Sequence, residues 1–354
     1  MPKILIAGAG GAPSEGVIFS LQKNINNSVI GMGSEPADLV LSAAKKKYYV
    51  PYANDENYRD ALMRILEVEK PDLVHFQNDL EIFHASLIRD EIISTGVRVF
   101  MPEHSVIDTC VHKYKSYQAF AAAGLPVPDN ILIRDEVDLK RAFRELGDKK
   151  GKVWLRASSI GGGGKGALPT NDFEFARGWL NHYQGWGEFL AAEMLTSRTV
   201  TWLSIWNNGV LVVSQGRERD GWTHGNRAIS GVTGVTKIGK TIRDKSVHDL
   251  AVSSVYSVTE KPHGIFGVDF AYDKKGKPNP TEINISRFFT TVRFFTEAGI
   301  NFPEIFKCLA LGEKIELPAE PVDPLREGQL WVRGMDTEPK LFDQNQFDSE
   351  ITFL

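Results

Sequence analysis

The sequence has little that would cross-link the chain or anchor it in a membrane. It holds two cysteines in 354 residues, Cys110 and Cys308, too few for a disulfide framework or a cysteine-rich metal site. Reduced thiols are the default for such a pair, and only a single bridge between them is left open. No run reaches the roughly 20 apolar residues of a transmembrane helix, and glycines interrupt the short apolar start before it reaches signal-peptide length. These absences predict a soluble, cytoplasmic protein with no membrane partner.

A large excess of charge of either sign is also missing. Lys and Arg number 41 and Asp and Glu 45, a formal net charge of -4, so nothing in the composition favours nucleic acid as a partner. Hydrophobic residues make up 42% of the chain and charged residues 24%, which is typical of a globular protein with a core. At roughly 150 residues per domain, the length predicts two domains, or three small ones.

What the sequence does contain is a regular alternation of apolar runs and helical patterns up to about residue 110. The apolar runs predict strands, and the segments between them predict helices. Strands are predicted at 3–7, 28–32, 72–77 and 97–101, and helices at 15–23 and 60–69. Strands that alternate with helices form a parallel, doubly wound sheet, so this segment is predicted to be one α/β domain.

The pattern changes after residue 112. A helix predicted at 113–123 ends at Gly124 and is followed by Pro126 and Pro128, which give the chain a rigid exit. Further strands are predicted at 152–156, 188–194, 199–206 and 209–215, and further helices at 135–146 and 172–182. We therefore expect a smaller α+β layer over about 113–195, a second layer after it, and a partly irregular surface tail from about Leu317.

A glycine-rich turn follows the first strand, in the sequence Gly8-Ala-Gly10-Gly-Ala-Pro13. A dinucleotide-binding fingerprint, G-x-G-x-x-G, needs a third glycine where this chain has Pro13, so the match fails at that point. A nicotinamide-dependent oxidoreductase would rest on this turn alone. The same turn also suits a doubly wound domain that binds no nucleotide.

A second glycine-rich segment follows the predicted strand that ends at Arg156, and it runs from Gly161 to Gly166. Residues without a Cβ let backbone N–H groups approach phosphate oxygens, while Arg156 and Lys165 bring positive charge. A flexible linker is the alternative. The segment is not a Walker A loop, because no Gly-Lys-Ser/Thr follows at the required spacing.

Three oxygen-bearing side chains fall on a predicted hairpin around an Asp273-Lys-Lys-Gly turn. Glu282 and Asn284 are two residues apart and share one face, and Asp269 falls opposite Glu282 if Asp273 pairs near Pro278. Hard oxygen ligands of this kind suit Mg²⁺, which takes one or two carboxylates together with phosphate oxygens. A solvated polar strand face is the alternative reading.

Between these motifs lie an apolar strand that ends in Glu193, and the pair Arg217 and Arg219. The two arginines have the same side parity in an extended strand and could face a phosphate or carboxylate. A surface ion-pair ladder with the neighbouring acidic residues is equally compatible with the pattern. The stretch 217–236 is expected to line the substrate side with Trp222, His224, Asn226, Arg227 and Ser230.

In this order the motifs resemble the ATP-grasp superfamily, over nearly the whole chain from Lys3 to about residue 310. The similarity is greatest to the synthetase domains of the carbamoyl-phosphate synthase large chain and to single-copy carboxylate–amine ligases. It rests on Lys113 before Gly124-Leu-Pro-Val-Pro128, on Arg156-Ala-Ser158 with the glycine-rich loop, and on the hairpin. Two positions depart from the family pattern: Thr199 stands where a ribose-binding Glu is expected, and Asn-Pro-Arg is stretched to Asn284-Ile-Ser-Arg287.

The resemblance implies a role for each matching residue. Asp269, Glu282 and Asn284 would be metal ligands, and Arg287 would meet the transferred phosphate. Arg217, from the strand pattern described above, is the second candidate catalytic residue. The residues that would bind the nucleotide are Lys113, Arg156, Ser158, Gly162, Gly163, Gly164, Lys165 and the hinge Glu193, Met194 and Leu195.

The fold implied is α/β and α+β, a pre-ATP-grasp doubly wound parallel sheet followed by a two-lobed ATP-grasp domain. The expected domains are 1–110 for the first sheet, 111–195 for the small lobe, 196–312 for the large lobe and 313–354 for a tail. The function implied is a ligase that uses ATP and Mg²⁺, with Mn²⁺ as an alternative ion, to join a small-molecule carboxylate to an amine. A homodimer is the assembly to test. The alternative function is a non-catalytic or regulatory nucleotide-binding protein of the same fold.

Overall fold

A computed structural model of the chain describes residues 1–158, 166–335 and 338–349, with side chains up to residue 346 in the last segment. Within these residues, no helix combines the length and the apolar character needed to cross a membrane. The fold is α/β and α+β, as predicted, with one parallel sheet and two antiparallel sheets.

The first sheet is parallel, with the strand order β3-β2-β1-β4-β5. Its elements are β1 (Lys3–Ala7), α1 (Ala12–Gln22), β2 (Ser28–Gly33), α2 (Pro36–Leu41), β3 (Lys46–Tyr49), α3 (Tyr58–Glu69), β4 (Leu73–His75), α4 (Asp79–Leu87), α5 (Arg89–Ser94), β5 (Arg98–Val99) and α6 (His104–Val111). The doubly wound prediction is confirmed. Strand β3 was not predicted, because its sequence Lys-Lys-Tyr-Tyr lies at an exposed edge and carries no buried apolar run.

The glycine turn after β1 is filled by the protein itself. Gly10 has φ of 91°, and a Cβ built on it would lie 2.0 Å from the carbonyl oxygen of Asp38 in α2. Its N–H donates to Glu15 Oε1 at 2.8 Å. The turn therefore packs α2 closely against the sheet. These contacts do not favour the binding of a nicotinamide cofactor at the turn.

A four-stranded antiparallel sheet forms the next layer, in the order β6-β9-β7-β8. Its elements are α7 (Lys113–Ala122), β6 (Asn130–Ile133), α8 (Glu136–Leu146), β7 (Val153–Ala157), β8 (Leu168–Thr170), α9 (Phe173–His182) and β9 (Phe189–Ala192). Asp135 and Asp172 cap α8 and α9 by accepting hydrogen bonds from backbone N–H groups of the first turn. Both helices pack on one face of the sheet around their own apolar core.

A seven-stranded antiparallel sheet follows, in the order β14-β13-β10-β11-β12-β15-β16. Its elements are β10 (Thr199–Asn207), β11 (Val210–Trp222), β12 (Thr236–Ile242), α10 (Lys245–Val258), β13 (Gly264–Tyr272), β14 (Pro278–Ile285), α11 (Val292–Glu297), α12 (Phe302–Leu311), β15 (Leu330–Val332), β16 (Lys340–Phe342) and α13 (Gln344–Ser349). The tail therefore contributes two strands to this sheet, beyond the partly irregular surface segment expected from its prolines.

The first and third layers share their cores. One apolar cluster joins the first sheet to α6, α7, α10 and one face of the seven-stranded sheet, and a second joins α1 to α11, α12 and the opposite face. This sharing holds the first domain and the large sheet together, with the small four-stranded layer across from them. The domain boundaries at 110, 195 and 312 stay predictions.

Candidate active site

A cavity of about 1090 Å³ lies between the four-stranded and the seven-stranded sheets. Most of the predicted site residues line it, although they come from segments far apart in sequence. Those on its wall are Lys113, Arg156, Glu193, Met194, Leu195, Arg217, Asp269, Glu282, Asn284 and Arg287. The structure thus brings the predicted metal, phosphate and hinge residues to one place.

Four of the cavity residues lie in one row across the large sheet. Glu282 on β14 pairs with Asp269 on β13, Asp269 pairs with Thr201 on β10, and Thr201 pairs with Arg217 on β11. Side chains at directly paired positions project from the same face of a sheet. The row therefore runs from two carboxylates to a guanidinium, with Asp269 and Arg217 two strand spacings, or roughly 10 Å, apart at the backbone.

A β-bulge sets the acidic end of this row. Near the hairpin turn Tyr272 pairs with Pro278, but at the site Asp269 pairs with Glu282, so that Thr281 is the extra residue. The hydroxyl of Thr281 donates to the carbonyl oxygen of Asp269 at 3.1 Å. The predicted pairing of Asp269 with Glu282 is confirmed, although the hairpin end is offset by one residue from the predicted register. Without the bulge, Asp269 would pair with Thr281, and Glu282 would project from the other face of the sheet. The extra residue therefore keeps Glu282 on the same face as Asp269.

Glu282 lies among cations. Its Oε2 accepts a hydrogen bond from Arg156 Nη2 at 2.7 Å, and Lys113 Nζ lies 3.8 Å from its Oε1. Burial acts to raise the pKa of Glu282, but the charges of Lys113, Arg156 and Arg287 outweigh it and lower that pKa to about 2. The carboxylate is ionised at neutral pH, and three cations converge on it at a place where phosphate oxygens can bind.

The structure places Ser158 beside the start of α7, and its contact with a nucleotide stays a prediction. Ser158 is buried at 6% exposure and does not line the cavity; instead its carbonyl oxygen and hydroxyl accept hydrogen bonds from the N–H groups of Lys113 (2.9 Å) and Tyr114 (3.1 Å). These are the first N–H groups of α7, which would otherwise lack partners. Ser158 thus holds the start of the helix that carries Lys113. The predicted residues Gly162, Gly163, Gly164 and Lys165 lie outside the described residues.

The hinge residues follow β9. The N–H of Glu193 donates to Asp129 O at 3.0 Å and that of Thr196 donates to Tyr272 O at 2.8 Å. In the described part of the chain, the N–H groups of Met194 and Leu195 between them have no backbone partner, and both residues line the cavity. Their backbone groups can therefore pair with the edge of a base.

Arg217 and Arg219 project from β11 toward Asp269, and both guanidiniums contact the hydroxyl of Thr201. Glu218, between them in sequence, faces away and pairs with Arg198 at 2.8 Å. Since Arg217 is 1% exposed, the surface ion-pair ladder is wrong for it. Of the expected substrate-side residues, Trp222 and Ser230 line the cavity, whereas His224, Asn226 and Arg227 are not on its wall.

Arg287 is tied to the first domain. Its Nε donates to Asp79 Oδ1 at 2.6 Å, and its Nη2 donates to Asn284 Oδ1. Ser286 has φ of 56°, a left-handed conformation that turns the chain directly after β14. This turn brings the guanidinium back to Asn284 despite the extra residue between them.

Two functional candidates were missed by the sequence reasoning. Asp79 escaped because its partner is 208 residues away, and Thr201 because threonine is common in strands. Arg219 was predicted together with Arg217 to face a phosphate or carboxylate. The alternation of threonine at Thr199 and Thr201, opposite two arginines, was the one signal that pointed to this group.

Asp269, Glu282 and Asn284 fit a magnesium ion by the chemistry of their donors. The Nδ2 of Asn284 donates to Asp269 Oδ2 at 3.0 Å, and its Oδ1 accepts a hydrogen bond from Arg287 Nη2. The amide and the carboxylate lie side by side, and the amide has to turn over to present its oxygen to an ion beside Asp269. Two carboxylates and an amide oxygen are hard ligands that leave room for phosphate oxygens and water. Among the described residues, no group of three or more His, Cys, Asp or Glu side chains forms a metal site.

The overall fold is found in solved structures that bind nucleotides. The carboxyaminoimidazole ribonucleotide synthase from Aspergillus clavatus, complexed with ATP, has a TM-score of 0.70 and 16% identity, over 94% of this chain and 81% of that one. Another similar structure is the biotin carboxylase domain of 2-oxoglutarate carboxylase from Hydrogenobacter thermophilus, a dimer with MgADP and bicarbonate. Its TM-score is 0.69 and its identity 16%, over 93% of this chain and 73% of that one.

A third similar structure is the L-amino acid ligase from Bacillus licheniformis, with a TM-score of 0.67 and 12% identity, over 94% of this chain and 79% of that one. The sequence itself matches no protein-family model and no curated protein. The three structures are of ATP-grasp enzymes, so the chain has the ATP-grasp fold that the sequence resemblance predicted.

Proposed function

We propose that this chain is an ATP- and Mg²⁺-dependent ligase that activates a carboxylate as an acyl phosphate and joins it to an amine. The observation that carries the proposal is the cavity wall on which Asp269, Glu282 and Asn284 face Lys113 and Arg156. The cavity volume of about 1090 Å³ lies at the upper end of the roughly 300–1,000 Å³ of ligand pockets, which is large enough for a nucleotide. The ATP, MgADP and bicarbonate bound in the similar structures support the same reading.

The chemistry needs two anions to meet. A carboxylate oxygen attacks the γ-phosphorus of ATP, the bond to the β–γ bridging oxygen breaks, and ADP leaves. The amine nitrogen then attacks the acyl carbon, phosphate leaves, and the nitrogen loses a proton. No protein nucleophile is required, so the task of the chain is to position the reactants and to stabilise negative charge.

Each residue has a task in this scheme. Lys113 and Arg156 bind phosphate oxygens, Arg287 meets the transferred phosphoryl group, and Met194 and Leu195 pair with the adenine edge through their backbone. Asp269, Glu282 and Asn284 would hold Mg²⁺ or Mn²⁺, and the ion supplies positive charge to the phosphates when bound. A cytoplasmic location and a homodimer belong to the proposal as well; Cys110 and Cys308 are free and buried, as expected of a reducing compartment.

An ADP-release screen tests the proposal. Purified protein with MgATP is offered pools of carboxylates and amines, and ADP and phosphate are expected only when both a carboxylate and an amine are present. Asp269→Asn and Glu282→Gln should abolish release, while the control Glu174→Gln, on an exposed side chain, should leave it unchanged. Failure to bind ATP in the presence of Mg²⁺ would refute the proposal. Tight MgATP binding with no release from any pool would favour the non-catalytic alternative.

A further inference from the structure

Two arginines at the basic end of the row are held mainly by threonine hydroxyls. Arg217 Nη1 donates to Thr236 Oγ1 at 3.2 Å and to Thr291 Oγ1 at 2.6 Å, and its Nη2 donates to Thr201 Oγ1 at 2.7 Å. Hydroxyls fix a guanidinium in place but do not neutralise its charge. The positive charge of Arg217 therefore remains available to a ligand.

Arg219 lies beside it in a similar setting. Its three nitrogens donate to the hydroxyls of Thr236 (3.1 Å), Thr199 (3.0 Å) and Thr201 (3.2 Å). Its Nη2 also forms a long ion pair with Asp269 Oδ1, at 3.8 Å. Among the described residues, the two buried guanidiniums thus share Asp269 as their near carboxylate, and Asp269 in turn belongs to the candidate metal site.

Arg217 is the more deeply buried of the two, at 1% exposure, and its Nε has no hydrogen-bond partner among the described residues. Burial and the charge of Arg219 lower the pKa of Arg217 to about 9, against the opposing effect of Asp269. A buried cation without a counter-ion is unfavourable, and an anion bound beside it removes much of that cost. Both arginines line the cavity, so a ligand can supply this anion.

The surroundings are shaped for the two guanidiniums. The rings of Phe289 and Trp222 cover their faces, with centroids 4.6 Å from the Arg217 guanidinium carbon and 3.9 Å from that of Arg219. On the adjacent strand, a Cβ added to Gly239 would lie 3.1 Å from Cδ of Arg217, so glycine leaves room for that side chain. Because aromatic rings cover the faces of both guanidiniums, an anion in the cavity would contact their N–H edges.

We infer that Arg219, supported by Arg217 behind it, binds the carboxylate group of the acyl substrate next to Asp269. Lys113 and Arg156 lie at the Glu282 end of the row, and the arginine pair lies at the opposite end. We therefore assign the phosphates of the nucleotide to Lys113 and Arg156. Thr201 accepts hydrogen bonds from both arginines and donates one to Asp269, which joins the anion subsite to the candidate metal site. The inference rests on the proposed function, and ATP phosphate is the competing source of the anion.

The test compares wild type with Arg219→Gln, Arg219→Lys and the control Lys237→Gln, which is exposed on β12 and off the cavity wall. Titration with Mg·AMP-PNP measures nucleotide affinity. Thermal shift then measures how the AMP-PNP complex responds to the carboxylate that releases ADP in the screen, or to sodium acetate when none does. We expect Arg219→Gln to weaken carboxylate binding at least roughly tenfold, as suits the loss of a charge-assisted hydrogen bond, and to leave nucleotide affinity within about twofold. Arg219→Lys should restore part of the carboxylate response.

The possible results separate the two proposals. Equal carboxylate binding by wild type and Arg219→Gln, no carboxylate response in wild type, or a loss confined to AMP-PNP affinity each overturns the subsite. The last of these identifies the anion as a nucleotide phosphate. If wild type does not bind AMP-PNP, the ligase proposal fails, and the acetate response of the nucleotide-free protein still decides whether Arg219 binds a carboxylate.

Discussion

Arg287 and Asp79 form an ion pair across 208 residues of sequence, with Nε and Nη2 of the arginine 2.6 and 3.3 Å from the two carboxylate oxygens. Asp79 is the first residue of α4 in the first domain, and Arg287 follows β14 of the large sheet. Next to this pair, Gln77 Oε1 accepts a hydrogen bond from the N–H of Phe288 at 2.8 Å. The first domain therefore completes the candidate active site instead of only supporting it.

Asp79→Asn should weaken both the fold and the chemistry. It removes the charge that holds Arg287 while keeping the size of the side chain, and we expect a loss of about 2 kcal/mol in the free energy of unfolding, as for a hydrogen bond to a charged group. ADP release should fall because Arg287 loses its fixed position. Asp60→Asn, at a side chain 81% exposed, is the control. Unchanged ADP release in Asp79→Asn would show that Arg287 is positioned without its partner.

Thr201→Val should separate a catalytic effect from a structural one. Valine keeps the shape of threonine but removes the hydroxyl that links Arg217 and Arg219 to Asp269. The Mg²⁺ concentration needed for half-maximal ADP release should therefore rise at least roughly threefold, while nucleotide affinity changes less. The control is Thr241→Val: this hydroxyl is also buried and bonded on both sides, to Arg326 O at 2.7 Å and from Gln329 N at 2.9 Å, but it lies off the cavity wall. Equal Mg²⁺ dependence in the two variants would contradict the link.

The pKa of Glu282 predicts how stability depends on pH. Its folded-state pKa of about 2 lies below the ordinary 4.5, so the carboxylate stabilises the fold above about pH 4.5, and this contribution is lost as the pH falls toward 2. The difference in free energy of unfolding between wild type and Glu282→Gln should shrink by about 2 kcal/mol between pH 6 and pH 3, at 1.36 kcal/mol per pH unit. Urea unfolding at several pH values measures it. A difference that stays constant with pH would mean that the cations around Glu282 do not lower its pKa.

The glycine turn gives a matched pair of variants. Gly10 and Gly96 have similar positive φ values, 91° and 88°, but a Cβ on Gly10 would meet Asp38 O at 2.0 Å, whereas one on Gly96 meets nothing within 4 Å. Gly10→Ala should lower the free energy of unfolding by at least about 2 kcal/mol more than Gly96→Ala, because only the first adds a clash to the backbone strain. Chemical denaturation measures both. Equal losses would show that α2 moves aside without cost.

Local patterns were sufficient to predict the hairpin site. Asp269 and Glu282 are only 13 residues apart on two strands joined by a short turn, so the register of one hairpin brings them together. The same holds for α7, whose start at Lys113 and end before Gly124 follow from helix-terminating residues. The bulge at Thr281 was not predictable, because nothing in the strand sequence shows which residue is left unpaired.

The long-range partners depended on the tertiary structure. The contact of Ser158 with the first turn of α7 was not predicted; it arises because β7 ends beside that helix. Likewise, the pairing of β10 with both β11 and β13 decides that the threonines of β10 lie between the arginines and Asp269. Strand order of this kind is set by the packing of whole layers, and the spacing of residues along the chain does not encode it.

The sequence by itself determined the types of the elements and the identity of the oxygen donors on the β13–β14 hairpin, because these depend on contacts between near neighbours in the chain. The ATP-grasp fold was implied by the resemblance in the order of the motifs. The tertiary structure decided that Asp79 holds Arg287, that α2 fills the glycine turn, and that Arg217 and Arg219 lie beside Asp269 with threonine hydroxyls as their main partners. Charge balance in a cavity is a property of side chains that meet from distant segments. It emerges only once the sheets have packed together.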